Sequence, residues 1–327
     1  MNLATQSLKQ LTAELRSRGE LGMKQDIQLA AQAFGRATES VWFPSKEPIY
    51  NGDDATALPT SDGYMLFAAE GMRPEFVAAD PWFAGYCSVM VNVNDIAAMG
   101  GRPWAVVDVL FLGSGGNQRM LEGMSAASEA FGVPVVGGHT ARVSGSTLLA
   151  VAVLGRAKNL ISSAQARPGQ VLMAAIDLNG SFRGAGGNFN AATTCAGDVL
   201  RKKLEVLPSL AESGLVRAGK DISMAGTCGT LLMLLESSRC GAVLELSSIP
   251  APPKVDPLRW LCAFPSFGFL LAVDEDHVPE VSAAFAAVDV ACAPVGRLND
   301  SERLELTLDG ELELYWDLGQ SPLTGFG

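Results

Sequence analysis

Asp53 and Asp54 stand side by side in the stretch YNGDDATALP, between a glycine and a run of small residues. Adjacent like charges repel, and no basic residue is near them in the sequence, so the pair is costly unless something positive offsets it. Glu70 follows the apolar run GYMLFAA and precedes Gly71. A carboxylate at a strand end beside a glycine is well placed to reach a ligand, although loops commonly carry such an acid for no further reason. Asp95 falls in DPWFAGYCSVMVNVNDIAAMGG. At about 100° per residue it lies far from the stripe of Trp82, Tyr86, Val89 and Val93, with Ser88 and Asn92 nearer its side. It is therefore expected on the helix face turned away from the core. A negative charge in a last helical turn is disfavoured by roughly 0.3–1 kcal/mol, a cost that a nearby cation removes. Hard oxygen donors of this kind suit Mg²⁺, which keeps several waters and shares its shell with substrate phosphates. Asp53, Asp54, Glu70 and Asp95 are thus the candidate metal ligands.

A second cluster is VGGHTAR, residues 136–142. Gly137 and Gly138 follow an apolar run and let the backbone come close to a bound group. His139 is read as a general base, a donor to phosphate, or a loop histidine without a role. Arg142 offers a planar fork for phosphate oxygens, or is an exposed loop arginine. The chain has no G-x-x-x-x-G-K-[ST] and no G-x-G-x-x-G after a strand, so neither standard phosphate loop is present. RGAGGNFN is only a weak version of one.

Elements must position these residues. Leu8, Leu11 and Leu15, then Ile27, Ala30 and Phe34, recur at helical spacing, with a break at Gly19 and Gly22. Lys24 and Asp26 lie in that region. FPSKEPIYNGDD reads as a loop. Strands are expected over 63–69, 104–113, 133–138 and 147–155, with helices over 80–101 and 117–131. Asp80 suits the N-cap of the first helix, Pro81 its first position, and Gly100-Gly101 its end. RAKNLISSAQARPGQ, residues 156–170, is polar and carries Pro-Gly, and is taken as the boundary. Beyond it, strands are expected over 171–177 and 267–273, helices near 193–207, 222–238 and 277–287, and a hairpin turning at Asp309-Gly310.

The 327 residues suffice for two ordinary domains, and 48% hydrophobic residues supply their cores. The net charge of −11 argues against nucleic acid or an anionic membrane as partner. No secretory signal or membrane span is read, and a cytoplasmic location is expected. The six cysteines form no C-x-x-C pair and there are only two histidines, so reduced, mostly buried thiols are expected rather than zinc ligands.

The motifs NGDDATAL, AAEGMRPEF, VNVNDIAAMGGRP and VPVVGGHTAR occur in an order and spacing that resemble the aminoimidazole ribonucleotide (AIR) synthase superfamily. Thiamine-monophosphate kinase, the hydrogenase-maturation dehydratase and selenophosphate synthetase belong to it. GKDISMAGTCGTLLMLLE is similar to the second-domain motif of the same group, so the resemblance runs through most of the chain. It implies an α+β, two-domain architecture: an N-terminal α/β domain forming a dimeric barrel and a C-terminal α+β sandwich domain. The corresponding ranges are an N-terminal helical segment at 1–45, an ATP- and metal-binding dimerisation domain at 46–158, and the second domain at 165–327. It also implies a homodimer, ATP and Mg²⁺ in a cleft, and transfer of phosphate to a small-molecule nucleophile. On this resemblance Asp53 and Asp54 match the family's acid pair, Asp95 its helix aspartate with Asn94 beside it, and Glu70 a position usually held by Asp. Asp221 matches the first acid of the second-domain motif; it and His139 are the candidate catalytic residues, with Asn94, Gly137, Gly138 and Arg142 as nucleotide-binding candidates.

The departures limit what is carried over. Thiamine-monophosphate kinase has aspartate where this chain has His139, and a second acid at Met224. Selenophosphate synthetase needs a cysteine or selenocysteine near its start, and residues 1–50 contain none. The dehydratase ends in a cysteine, whereas this sequence ends LTGFG. AIR synthase reads DGVGTK against EGMRPE here. The expectation is an AIR-synthase-related enzyme that uses Mg·ATP to phosphorylate or activate a small molecule. The alternatives are a catalytically weak nucleotide-binding module, or a phosphotransferase like thiamine-monophosphate kinase.

Overall fold

The computed structural model describes residues 7–40 and 48–327. The expected loop beginning at Phe43 therefore lies partly outside the described residues. By contacts the chain forms two units. One takes in the described residues up to Asp53, with Leu160–Ala192 and Leu210–Gly327; the other takes in Asp54–Asn159 and Thr193–Ser209.

The chain opens with α1 (Leu8–Arg16), α2 (Gly19–Gln25) and α3 (Gln28–Phe34), then a two-stranded ribbon of β1 (Ala37–Thr38) and β2 (Ile49–Tyr50). Ser7 caps α1 in a reciprocal box with Gln10, satisfying end amides. Leu8, Leu11 and Leu15 are buried as the spacing predicts, but Phe34 is exposed and Ala31 is buried instead. Gly22 does not break the chain: it lies inside α2.

The second unit carries β3 (Thr56–Thr60), β4 (Gly63–Met72), α4 (Pro74–Ala79), α5 (Pro81–Ala98), β5 (Arg102–Leu112), α6 (Asn117–Phe131), β6 (Val135–Arg142) and β7 (Leu148–Ala157). Its five strands are ordered β3-β4-β7-β5-β6. β4 and β5 both run antiparallel to β7, which makes them parallel to each other and makes α5 the crossover between them. Asp80 caps α5, accepting from Phe83 N at 3.3 Å. α5 packs on α6 and on the sheet. The two helices approach so closely that a Cβ on Gly85 would stand 1.9 Å from Met120 O, and one on Gly123 1.9 Å from Trp82 O. The far face of the sheet is open: Met65, Phe67, Val107, Val109 and Leu148 remain exposed on it. As a single chain this sheet is open, not a closed barrel.

The first unit continues with β8 (Val171–Ile176), β9 (Ser181–Phe182) and β10 (Asn188–Asn190). α7 (Gly197–Glu212), which belongs to the second unit up to Ser209, is followed by β11 (Ala218–Asp221), α8 (Gly226–Ser238) and β12 (Gly241–Glu245) of the first. It ends with α9 (Pro257–Leu261), β13 (Phe264–Pro265), β14 (Gly268–Val273), α10 (Val278–Ala286) and β15 (Ala291–Asn299), then β16 (Arg303–Leu308) and β17 (Glu311–Asp317). Seven strands order as β11-β14-β8-β15-β12-β16-β17. β8 and β14 are buried on both faces, which is why they read as unbroken apolar runs. α1 and α8 share one apolar core with this sheet. The β16–β17 hairpin turns at Asp309 and Gly310 with φ of 51° and 84°, the double positive φ of a type I′ turn. Mixed helix and sheet in two units is the expected α+β class.

All six cysteines are free. Cys87, Cys228 and Cys240 are buried and the other three half-buried, so half of the thiols rather than most are core. Among the described residues no helix is long and apolar enough to cross a membrane.

Candidate functional site

Each unit contributes its own set of candidates. In the five-stranded sheet, pairing fixes which side chains share a row. Glu70 pairs with Val151, Val151 with Asp108, and Asp108 with Gly138. Directly opposed residues project to one face, and Val151 is buried beneath the helices. Glu70 and Asp108 therefore flank Val151 on the helix-covered face, two strands or about 10 Å apart. Glu70 was expected to close a strand, but β4 runs on to Met72 and holds it within the ladder. The VGGHTAR stretch was likewise expected to leave its strand at residue 138. Parallel pairing with β5 instead carries β6 through Gly137, Gly138 and His139 to Arg142.

Gly138 has a specific reason to lack a side chain. A Cβ there would lie 2.3 Å from Asp108 Oδ1. The glycine leaves the room that the Asp108 carboxylate occupies. Burial raises the Asp108 pKa above its ordinary value, so the ionised form is disfavoured until a cation or donor arrives. Asp108 was missed in the sequence. The available signal was a lone acid inside the apolar strand WAVVDVLFLG.

The remaining candidates of this unit divide. Asp54 lies two residues before Thr56, whose partner on β4 is Phe67, so it enters at the end of the sheet that carries Glu70. Arg142 is the last residue of β6, on the face of Gly138 and exposed. His139 pairs with Val109, which points to the open face. Its ring stands 6.1 Å from that of Phe111 on that same side. The structure thus turns His139 away from Glu70 and Asp108.

Asn94 and Asp95 are buried, at 3% and 6% exposure. Asp95 was expected on a face turned away from the core. α5 has no such face: it lies between α6 and the sheet, and Phe83 through Ala98 are all buried. Polar groups on it are held within the helix, Ser88 Oγ donating to Gly85 O and Asn92 Nδ2 to Ser88 O, both at 2.8 Å. Ile96, next to Asp95, packs against Gly101 and Gly155.

In the other unit Asp53 is fixed by Ser162 and Ser163. Its carboxylate accepts from Ser162 Oγ at 2.6 Å and from Ser163 N at 3.0 Å. Asp221 ends β11 and is 7% exposed. The expected helix from residue 222 begins only at Gly226; the turn before it is pinned by Ser223 N donating to Thr230 Oγ1 at 3.1 Å. Gly226 has φ +67°, and a Cβ there would meet Leu261 O at 2.1 Å. Asp177, immediately after β8, lies at the same end of the sheet, because β8 and β11 both pair with β14. It is 1% exposed and accepts from Asn179 N at 3.0 Å. It falls just past the observed strand, at the last residue of the strand expected over 171–177, and was not singled out in the sequence.

Among the described residues no group of three or more His, Cys, Asp or Glu side chains converges to hold a metal ion. The donors present are oxygens. That set fits Mg²⁺, which takes one or two carboxylates and completes its shell with water and phosphate, and does not fit a closed zinc site.

Comparison with known proteins gives the lineage. Residues 52–157 match the model "AIR synthase related protein, N-terminal domain", and residues 167–309 the model "AIR synthase related protein, C-terminal domain". An uncharacterized protein of Synechocystis sp. is 47% identical over 321 residues, covering 98% of each chain. One from Methanocaldococcus jannaschii is 36% identical over 249 residues, covering 75% of this chain and 76% of that one. Phosphoribosylformylglycinamidine synthase subunit PurL of Methanosarcina barkeri is 27% identical over 292 residues; the match spans 80% of this chain but 40% of PurL. Among solved structures, T. maritima PurL complexed with ADP superposes with a TM-score of 0.75 at 18% identity. It covers 97% of this chain and 54% of that one. AaThiL complexed with AMPPCP and TMP gives 0.66 at 17% identity, covering 96% and 100%. Both show the shared fold. With the two halves matched in order and a relative nearly half identical along almost the whole length, the chain belongs to the AIR synthase related protein family.

Proposed function

We propose that the protein is an ATP- and Mg²⁺-dependent enzyme that phosphorylates or otherwise activates a small molecule. The observation that carries this reading is the row Glu70–Val151–Asp108–Gly138, two carboxylates beside a position that must stay without a side chain. The family context supports it, since the PurL and AaThiL structures of the same fold are complexes with ADP and with AMPPCP. Asp53, Asp54, Glu70 and Asp95 are the proposed metal ligands, and Asp108, across Val151 from Glu70 in the same row, is added to them. When bound, Mg²⁺ neutralises phosphate charge and steadies the transferred phosphoryl group. Asn94, Gly137, Gly138 and Arg142 are assigned to the nucleotide, Arg142 through its fork on phosphate oxygens. Asp221 is assigned to the substrate side, as acceptor of a proton or of a substrate donor. Two copies of the chain would cover the open face of the five-stranded sheet, where Phe67 and Val107 are 51% and 42% exposed.

A nucleotide-binding module with little turnover is the second reading. It is favoured by the orientation of His139, which stands with Phe111 rather than with the acids. ADP release measured with Mg·ATP across a panel of small hydroxyl-, amine- and phosphate-bearing metabolites separates the two. Substrate-dependent release is expected. Tight ATP binding without release on any of them supports the module, and neither binding nor release overturns both. Thiamine monophosphate belongs in the panel and is expected to be inactive, given His139 and Met224.

A further inference from the structure

Glu236 sits in the last turn of α8, where a negative charge opposes the helix dipole, and it is 6% exposed, where a carboxylate is costly. Four donors from one short segment offset both costs. Leu323 N and Gly325 N donate to Oε1 at 2.8 and 3.1 Å; Thr324 N donates to Oε2 at 2.8 Å, as does Thr324 Oγ1. Gln28 Nε2 on α3 adds donations to Pro322 O and Leu323 O at 2.9 and 3.1 Å. So much anchoring of an irregular segment suggests that what it carries must be held still.

What it carries is Phe326, whose side chain lies against Gly52. A Cβ on Gly52 would meet Phe326 Cβ at 2.7 Å and Cγ at 2.9 Å, and Gly52 has φ +99°. Gly52 is the residue before the acid pair. The same end of α8 also reaches the other contact of Asp53. Ser238 Oγ donates to Ser163 O, and Ser163 N donates to the Asp53 carboxylate. The ribbon leading in is held as well, by Asn51 N donating to Arg36 O at 2.8 Å, while Arg36 donates to Ser237 O at 3.2 Å.

We propose that Glu236 and Phe326 are positioning residues for the Asp53 carboxylate: Glu236 latches the segment Leu323–Gly325, and the latched segment seats Phe326 on Gly52. This rests on the reading of Asp53 as a Mg²⁺ ligand. Three consecutive residues of α8, Glu236 through Ser238, then fix the acid from two sides. The latch leaves Asp53 itself untouched and acts through the backbone of the Gly52–Asp53 turn.

The test uses Glu236→Gln, which sets an amide NH₂ against backbone donors, and Phe326→Ala, which keeps the latch and removes the ring. Phe326→Leu is the conservative control. Amide hydrogen exchange is followed over residues 49–56 and 162–164, and AMPPCP affinity is measured with Mg²⁺ and with EDTA. Exchange at 51–54 should rise in both disruptive variants. Affinity with Mg²⁺ should fall about tenfold, as for partners that orient metal ligands, with affinity in EDTA unchanged and Phe326→Leu near wild type. Wild-type exchange at 51–54 in Phe326→Ala overturns the proposal, as does an equal loss of affinity with and without the cation. If the wild type itself binds no AMPPCP, the functional reading fails, and the exchange arm alone decides whether the latch positions the turn.

Discussion

Asp108 shows what a single side chain can be made to carry. Its pKa is raised by burial above the ordinary 3.8, so the folded state holds the proton more tightly than the unfolded chain does. Below that ordinary value both states are protonated and the carboxyl costs nothing. As pH rises through the raised folded value, the charge must be borne at a partly buried site, and folding stability is lost. Asp108→Asn is therefore expected to raise the melting temperature of the nucleotide-free protein at neutral pH. The gain should shrink to nothing as pH falls towards 4, about the ordinary carboxylate value. The same variant is expected to weaken binding of a nucleotide with Mg²⁺. Thermal melts across pH check the first part, and a variant less stable than wild type at neutral pH would contradict it.

Among the elements, α5 and α6 approach each other most tightly at two glycines, Gly85 and Gly123. Added methyls at Gly85 and Gly123 would each meet a backbone carbonyl of the facing helix at 1.9 Å, and backbone gives way less readily than a side chain. Gly85→Ala is expected to cost at least the 1–3 kcal/mol of ordinary overpacking, read by denaturant titration, despite the better helix propensity of alanine. The caps and turns of these elements were legible: Asp80 with Pro81 opened α5 and Asp309-Gly310 turned the last hairpin because each rests on local chemistry. Asp95 was misplaced because a helix buried all round has no informative stripe. β15 was missed because Pro294 and Gly296 argue against a strand, and only the bulge between them admits it to the middle of the sheet. Asp108 and Asp177 were missed for a different reason. What distinguishes them is the strands beside them, and pairing across strands is not written in the local sequence.

For the whole molecule, the family motifs supplied the two-domain class and added Asp221 and Asn94 to site candidates already read from residue type and spacing, and the structure adds how each unit arranges its own. The open apolar face of the five-stranded sheet bears on assembly. If two copies pair through this face, as proposed, Phe67→Glu and Val107→Glu lower the mass read by sedimentation velocity from dimer to monomer, because a charge placed in an apolar contact is not offset there. Variants that remain at wild-type mass would show that this face is not the interface. The central claim, that acids clasp Mg²⁺ against a nucleotide, is tested most directly by titrating AMPPCP into wild type, Asp54→Asn and Glu70→Gln, each with Mg²⁺ and with EDTA. Wild type should bind much more tightly with the cation, and each variant should lose about ten- to a hundredfold of that cation-dependent part while its affinity in EDTA stays unchanged. Equal affinities in the three proteins under both conditions would contradict the account.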